Sequence, residues 1–396
     1  MKTLFKTILL MVVALTSVAL VSCNDDEDNS APEVKYVRMT NSASSDSLVT
    51  SASLGAVIAI VGNHLGNVTQ IYFNNQTASL NPTYITDHTI LVSVPTGIPA
   101  TDSITNTIRL ITRTGLSTSY SFVTEVPNPV LTSINNEYAQ IGDTVTITGN
   151  YFVSPTVKFT PDIEAKVVSS TLKQLKVVVP QGAEAGAVTV TSLYGSTVST
   201  KFIYHDNADV TSTTKFITDF EDKSWDTWGY GHYGTTGGTS GQYYIFNGTA
   251  GSWNWNTSLA LMYVNPNKTT IVNISDVSEY ALRFEVNSIQ WYDTPMVMWF
   301  SKDETFSTDD DNAQYHWKPY LTDGVTSDYV TKGWTTVTIP LSSFNTDKAE
   351  TTTSRVLNPS DLVNFHIFYF GSMTTSTNPT GVNVEIDNLR IVKYDK

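Results

Sequence analysis

Ser252-Trp253-Asn254-Trp255-Asn256 combines, in five residues, side chains that suit the two kinds of surface a sugar presents. On an extended strand Trp253 and Trp255 point the same way, ~7 Å apart, with the asparagine side chains opposite. The electron-rich face of an indole or phenol accepts the slightly positive C–H face of a pyranose. Amides and carboxylates satisfy the equatorial hydroxyls. Gln290-Trp291-Tyr292-Asp293 and Tyr315-His316-Trp317-Lys318-Pro319-Tyr320 repeat this pairing of ring and polar neighbour. The candidate ligand-binding residues are therefore Trp253, Trp255, Trp291, Tyr292, Trp317 and Tyr320, and the ligand they suit is a polysaccharide. Trp299 and Trp334 sit in apolar or alternating runs and read as core, whereas Trp225 and Trp228 fit either role.

The same region is a poor fit to catalysis. A glycosidase needs two carboxyls flanking the scissile bond, one with a raised pKa. Beyond residue 215 the glutamates are Glu221, Glu279, Glu285, Glu304, Glu350 and Glu385, none in a recognisable acid or nucleophile motif. Gly229-Tyr230-Gly231-His232-Tyr233-Gly234 formally matches GxGxxG, but no buried strand precedes it and no helix follows it. Six glycines within Gly229 to Gly241 instead describe a mobile loop. The chain reads as a non-enzyme that requires no cofactor, with a host-protein adhesin and a glycoside hydrolase as the alternatives.

The elements that must position these residues are strands. Lys and Arg total 23 against 37 Asp and Glu among 396 residues, a formal charge of −14, which argues against nucleic acid as partner. Only 15% of residues are charged, and β-branched and small polar residues abound, as in sandwiches with one buried strand face. Val145-Thr146-Ile147-Thr148-Gly149-Asn150-Tyr151-Phe152 aligns with Ile58-Ala59-Ile60-Val61-Gly62-Asn63-His64-Leu65 at an offset of 87, and Val179-Pro180 with Val94-Pro95 at an offset of 85. Two landmarks at nearly equal offset indicate a tandem repeat. The fold class expected is all-β: two immunoglobulin-like sandwiches over 32–126 and 127–205, a linker over 206–214, and a larger jelly-roll-like sandwich over 215–396. Within the last, strands are expected over Tyr280–Val286, Met296–Phe300, Trp334–Ile339, Phe365–Phe370 and Val382–Val392.

Residues 1–22 have a charged start and a short apolar run, the layout of a secretory signal. Leu20-Val21-Ser22-Cys23 resembles a bacterial lipobox, which implies cleavage before Cys23 and lipidation of it, the only cysteine. The tether over 23–31 is acidic and polar and resembles the signal that exports lipoproteins to the outer surface of Bacteroidetes-type bacteria. An outer-membrane, lipid-anchored, outward-facing location is the expectation.

The motif shared by the repeats, an apolar strand ending in Gly-Asn-x-aromatic or leucine and a later Val-Pro, resembles IPT/TIG domains. Tyr315-x-Trp317-x-Pro319-Tyr320, then Gly333-Trp334-Thr335-Thr336-Val337-Thr338-Ile339-Pro340-Leu341-Ser342-Ser343-Phe344, resembles the C-terminal domain of surface glycan-binding proteins, lipoproteins of Sus-like polysaccharide-utilisation systems. The closing Val384-Glu385-Ile386-Asp387-Asn388-Leu389-Arg390-Ile391 is similar to the last strand of many carbohydrate-binding sandwiches. The resemblance implies a non-catalytic protein that holds a neutral β-glucan, such as xyloglucan or mixed-linkage glucan. Its implied partners are a SusC/SusD-like transporter complex of the TonB-dependent type and a surface glycoside hydrolase. By the same analogy Asp219, Glu221 and Asp387 occupy the positions of a structural calcium site.

Overall fold

The computed structural model describes residues 30–41, 47–98, 104–207, 212–250, 256–303, 312–347, 350, 355–369 and 380–394. Cys23, Trp253 and Trp255 lie outside the described residues. Their regular elements are strands, with only single turns of 3-10 helix besides. The chain divides into two compact units at Pro127 and Asn128.

The first unit is a sandwich of a three-stranded and a four-stranded sheet, with a short parallel pair at Ser51–Ser53 and Val123–Glu125. Its core gathers Val37, Ile58, Ile60, Ile71, Phe73, Ile90 and Ile108. The second unit begins with a sandwich whose strands follow one another in a seven-stranded path. The repeat read from the sequence reappears here atom by atom. Strands Val57–Asn63 and Thr144–Asn150 each pair with the first strand of their sandwich across a bulge. At the end of each strand a glycine lies against that partner's backbone: a Cβ on Gly62 would sit 1.8 Å from Glu33 O, and one on Gly149 1.9 Å from Val130 O. Two residues on, His64 and Tyr151 both take a positive φ, 56° and 61°. The chain then turns inward to bury Leu65 and Phe152. Val94 and Val179 close the loop, accepting from Gly55 N at 2.9 Å and Gly142 N at 3.0 Å.

The remainder of the second unit is the larger sandwich. One sheet has six strands, in which Thr380–Lys393 lies between Tyr243–Ala250 and Tyr280–Trp291, and Thr335–Pro340 pairs outside the latter. The opposing sheet has four, ordered Ala260–Tyr263, Asn364–Tyr369, Met296–Ser301 and Gln314–Trp317. Asn364–Tyr369 is interior to its sheet and wholly buried, as its unbroken apolar run predicts. Inward residues of both sheets, among them Phe246, Phe284, Met298, Phe300, Ile367 and Ile386, form one core.

The two sandwiches of the second unit are not joined as beads on a string. Glu137, from the smaller, enters the outer face of the six-stranded sheet, where it is 1% exposed. Its carboxylate accepts from Arg283 Nη1 at 2.7 Å and Arg390 Nη2 at 2.7 Å. Arg390 also grips Glu285 through Nη1 at 2.8 Å and Nη2 at 3.0 Å. Two carboxylates and two guanidiniums thus neutralise one another in the joint, with the ring of Tyr138 4.9 Å from Arg390 Cζ. Asn135 O accepts from Thr336 N and Thr335 Oγ1, both at 2.8 Å, extending the contact along the Thr335–Pro340 strand. The expected linker over 206–214 is held at both ends. Asp206 and Thr214 are buried, and Thr214 Oγ1 donates to Asp206 Oδ2 at 2.6 Å.

Removing one member of a buried ion network leaves the other charges uncompensated, at a cost of roughly 3–5 kcal/mol. Glu137→Gln should therefore lower the urea midpoint of tryptophan fluorescence by about that free energy. All eight tryptophans belong to the larger sandwich, so an unchanged midpoint would mean that the two sandwiches fold independently.

Candidate functional site

One end of the larger sandwich collects the aromatic residues. Tyr243–Ala250 ends there opposite Thr380, and Tyr280–Trp291 ends opposite Val382. Met296 and Trp317 pair at the same end of the opposing sheet. Trp291, Tyr292, Trp317 and Tyr320 are brought together, and Ala250 leads from this end into the segment that carries Trp253 and Trp255.

Their roles differ from those expected. Trp291 is 0% exposed and donates from Nε1 to Thr294 O at 2.6 Å. Around it stand Trp317, Tyr369, Tyr329 and Tyr320, edge-on at centroid distances of 5.1, 5.2, 5.8 and 6.2 Å. Tyr320 is likewise buried, and burial raises its pKa. Both residues are core and neither presents a face to a sugar. The cause is local. Leu282, Phe284, Val286 and Ser288 face inward, so strict alternation would turn Trp291 out. A register shift between Ser288 and Gln290 inserts Ile289, which is exposed, and returns Trp291 to the core. Trp317 packs edge-on to Trp291 and Phe284 yet keeps part of its surface open. Tyr292 is 39% exposed.

Trp299 and Trp225 are core residues, whereas Trp334, expected there too, is not. It precedes its strand, stays partly exposed, and donates from Nε1 to Gly237 O at 2.7 Å. Together with Tyr243 it pins the glycine-rich loop. Thr239 of that loop is buried and bonded to Asp387, and Ser240 Oγ donates to Asn388 Oδ1 at 3.0 Å. The loop read as mobile is tied down along its second half.

Its first half supplies a platform that the sequence left undecided. Trp228 is 50% exposed, the most open of the described tryptophans, with Tyr230 tilted beside it at 6.2 Å. Asp226 organises this turn: it accepts from Tyr230 N at 3.2 Å, Gly231 N at 3.0 Å and Tyr233 OH at 3.0 Å. His232 then meets Ser258 Oγ at 3.3 Å, beside Asn256. The sequence signal was Asp226 two residues before a tryptophan, followed by glycines, a turn able to hold an indole outward.

The three residues expected to hold calcium are each engaged by protein donors. Asp219 accepts from Glu221 N, Glu221 from Gln242 N, and Asp387 from Thr239 Oγ1 at 2.5 Å and Asn388 N at 2.8 Å. Among the described residues no three carboxylates or imidazoles converge.

Burial raises the pKa of Glu285, and it pushes that of Asp387 up to about 7. The two are register partners and would otherwise resemble an acid–base pair. Both are 0% exposed, one held by Arg390 and the other by Thr239, so no glycosidic oxygen reaches them.

Residues 210–393 match the family described as the surface glycan-binding protein B xyloglucan binding domain. Across 92% of this chain and 99% of the other, the fold is similar to the crystal structure of the surface glycan-binding protein PbSGBP-B from Prevotella bryantii, with a TM-score of 0.78 and 26% identity. A curated IPT/TIG domain-containing protein from Bacteroides ovatus is 32% identical over 161 residues, which is 38% of this chain and 33% of that relative's length.

Two outcomes follow from the burial pattern. Trp291→Ala should destabilise the larger sandwich by about 3–5 kcal/mol, whereas Tyr292→Ala should leave its thermal midpoint nearly unchanged in calorimetry. Asp387 ties stability to pH. Its folded pKa of about 7 exceeds the ordinary 3.8, so the folded state holds the extra proton between those values and stability falls as pH rises from 4 to 7. The fall should be on the order of 1–4 kcal/mol. Asp387→Asn should reduce the slope of the urea midpoint against pH, and the remainder carries the same sign because Glu285 is also raised.

Proposed function

We propose, on the premise that the C-terminal domain belongs to the xyloglucan-binding-domain family of surface glycan-binding proteins, that this chain captures a neutral β-glucan at the aromatic end of its larger sandwich. Xyloglucan and mixed-linkage glucan are the ligands proposed. The observation that carries the reading is the exposure of two rings inside the matched domain: Tyr292 directly follows the end of the Tyr280–Trp291 strand, and Trp228 stands on the turn that borders the Tyr243–Ala250 strand. Each ring offers an apolar face, and contacts of this kind contribute about 0.5–1.5 kcal/mol apiece by analogy with aromatic pairs. Retention therefore requires several rings engaged together, including the segment of Trp253 and Trp255. A formal charge of −14 adds long-range repulsion toward acidic polysaccharides.

On the same reading the lipobox-like Cys23 anchors the chain at the outer face of the outer membrane. The bound glycan passes to a surface glycoside hydrolase and a SusC/SusD-like transporter, a proposal drawn from the family resemblance.

Native electrophoresis of the protein lacking residues 1–23, through gels containing xyloglucan, mixed-linkage β-glucan, mannan or polygalacturonate, tests the reading. Retardation by a neutral β-glucan alone is expected, with Trp228→Ala and Tyr292→Ala each weakening it. Free migration in every gel would replace the glycan reading with a protein-binding adhesin.

A further inference from the structure

The outer face of the six-stranded sheet is divided in two. Its half nearer the smaller sandwich is covered by Glu137, Tyr138 and the loop that carries Thr239. The other half is open, and its register sets three amides in a line. Asn247 pairs with Asn383, and Asn383 pairs with Gln290. Directly opposed residues in antiparallel strands project from the same face. Their neighbours Phe246, Val382, Val384 and Trp291 fill the core, so these three point out to solvent. Asn247 and Gln290 are exposed and Asn383 is half-buried. None of the three makes a side-chain hydrogen bond among the described residues, whereas Asn287 in the adjacent row is spent on Glu385 at 2.8 Å.

We propose that Asn247, Asn383 and Gln290 form the hydrogen-bonding floor of a subsite for a neutral glycan chain running across the strands. The inference rests on the glycan-binding reading and extends it from the aromatic end onto the sheet face. Neighbouring strands lie ~4.8 Å apart, so the row spans about 10 Å, close to two pyranose residues, with one amide offered to each ring and one between. An amide both donates and accepts, which suits a hydroxyl that does the same. The turn bearing Trp228 borders the Tyr243–Ala250 strand, where Ile245 N donates to His232 O at 2.8 Å, and Tyr292 follows the Tyr280–Trp291 strand. Gly381 keeps the floor clear: a Cβ there would lie 2.9 Å from Gln290 Nε2. The half-buried carboxylate of Glu385 in the next row makes the surface unsuited to uronic acids.

Titration calorimetry with xyloglucan and with mixed-linkage β-glucan tests this in the protein lacking residues 1–23. Asn383→Ala and Gln290→Ala should each weaken association about three- to tenfold, the range of a single hydrogen bond, and the double variant should weaken it further. Urea midpoints should stay at the parent value. Asn247→Ala, at another exposed position of the row, supplies an independent arm. Gly381→Ala, which displaces Gln290 without removing it, should also weaken binding. Parent-like affinity in Asn383→Ala, Gln290→Ala and Asn247→Ala would overturn the subsite while the glycan reading stands. A parent protein that binds neither polymer would overturn that reading and the subsite with it.

Discussion

Four charges buried in one joint constrain everything on the C-terminal side of Pro127. An isolated guanidinium in that joint would be prohibitive, because water no longer solvates it. Arg390 is 0% exposed and is acceptable only because Glu285 and Glu137 both reach it. Glu137 comes from another sandwich, 253 residues away in sequence. The outer face of the six-stranded sheet therefore carries arginines that its own sandwich satisfies only in part. A hydrophobic joint of equal size would tolerate sliding, whereas the directional bonds of Arg283 and Arg390 fix one register. The 127–205 sandwich thus completes the charge balance of the larger one.

Much of the architecture was legible in the sequence because the signals are local. The Gly-Asn-x motif of the repeats works through a glycine pressed onto a neighbouring backbone and a residue with positive φ, and both leave their mark within four residues. Strand alternation and the unbroken apolar run at Phe365 are similarly short-ranged. The charge joint left no such mark. Glu137, Arg283, Glu285 and Arg390 look like ordinary strand and loop charges until folding places them together.

The site was only half legible for related reasons. That aromatic residues cluster in the last domain follows from counting tryptophans, but which of them face solvent depends on geometry that counting omits. Trp291 has polar neighbours and reads as exposed, yet the bulge at Ile289 turns it inward. Trp334 lies in an alternating run and reads as core, yet it begins one residue before the strand and serves a loop. Asp387 sits where a metal ligand is found in similar sandwiches, yet Thr239 and Asn388 already occupy its oxygens. Trp228 was ambiguous because its exposure comes from Asp226 holding a turn, a cooperation among several backbone amides.

The bulge at Ile289 also bears on how such a surface diversifies. Period-two alternation means that one inserted or deleted residue exchanges the two faces of everything beyond it. Ile289 is such an inserted residue, and the bulge absorbs it: loss of its codon would leave Gln290 outward and Trp291 inward in an unbroken register, whereas straightening the strand with Ile289 retained would carry the indole to the amide row and send Gln290 toward the core. A lineage that lost the bulge but kept its residue could thus trade a hydrogen-bonding face for an aromatic one, provided a neighbouring side chain refilled the vacated interior. What such a face offers is then open to change by slippage of register along one strand, without substitution of any residue on it.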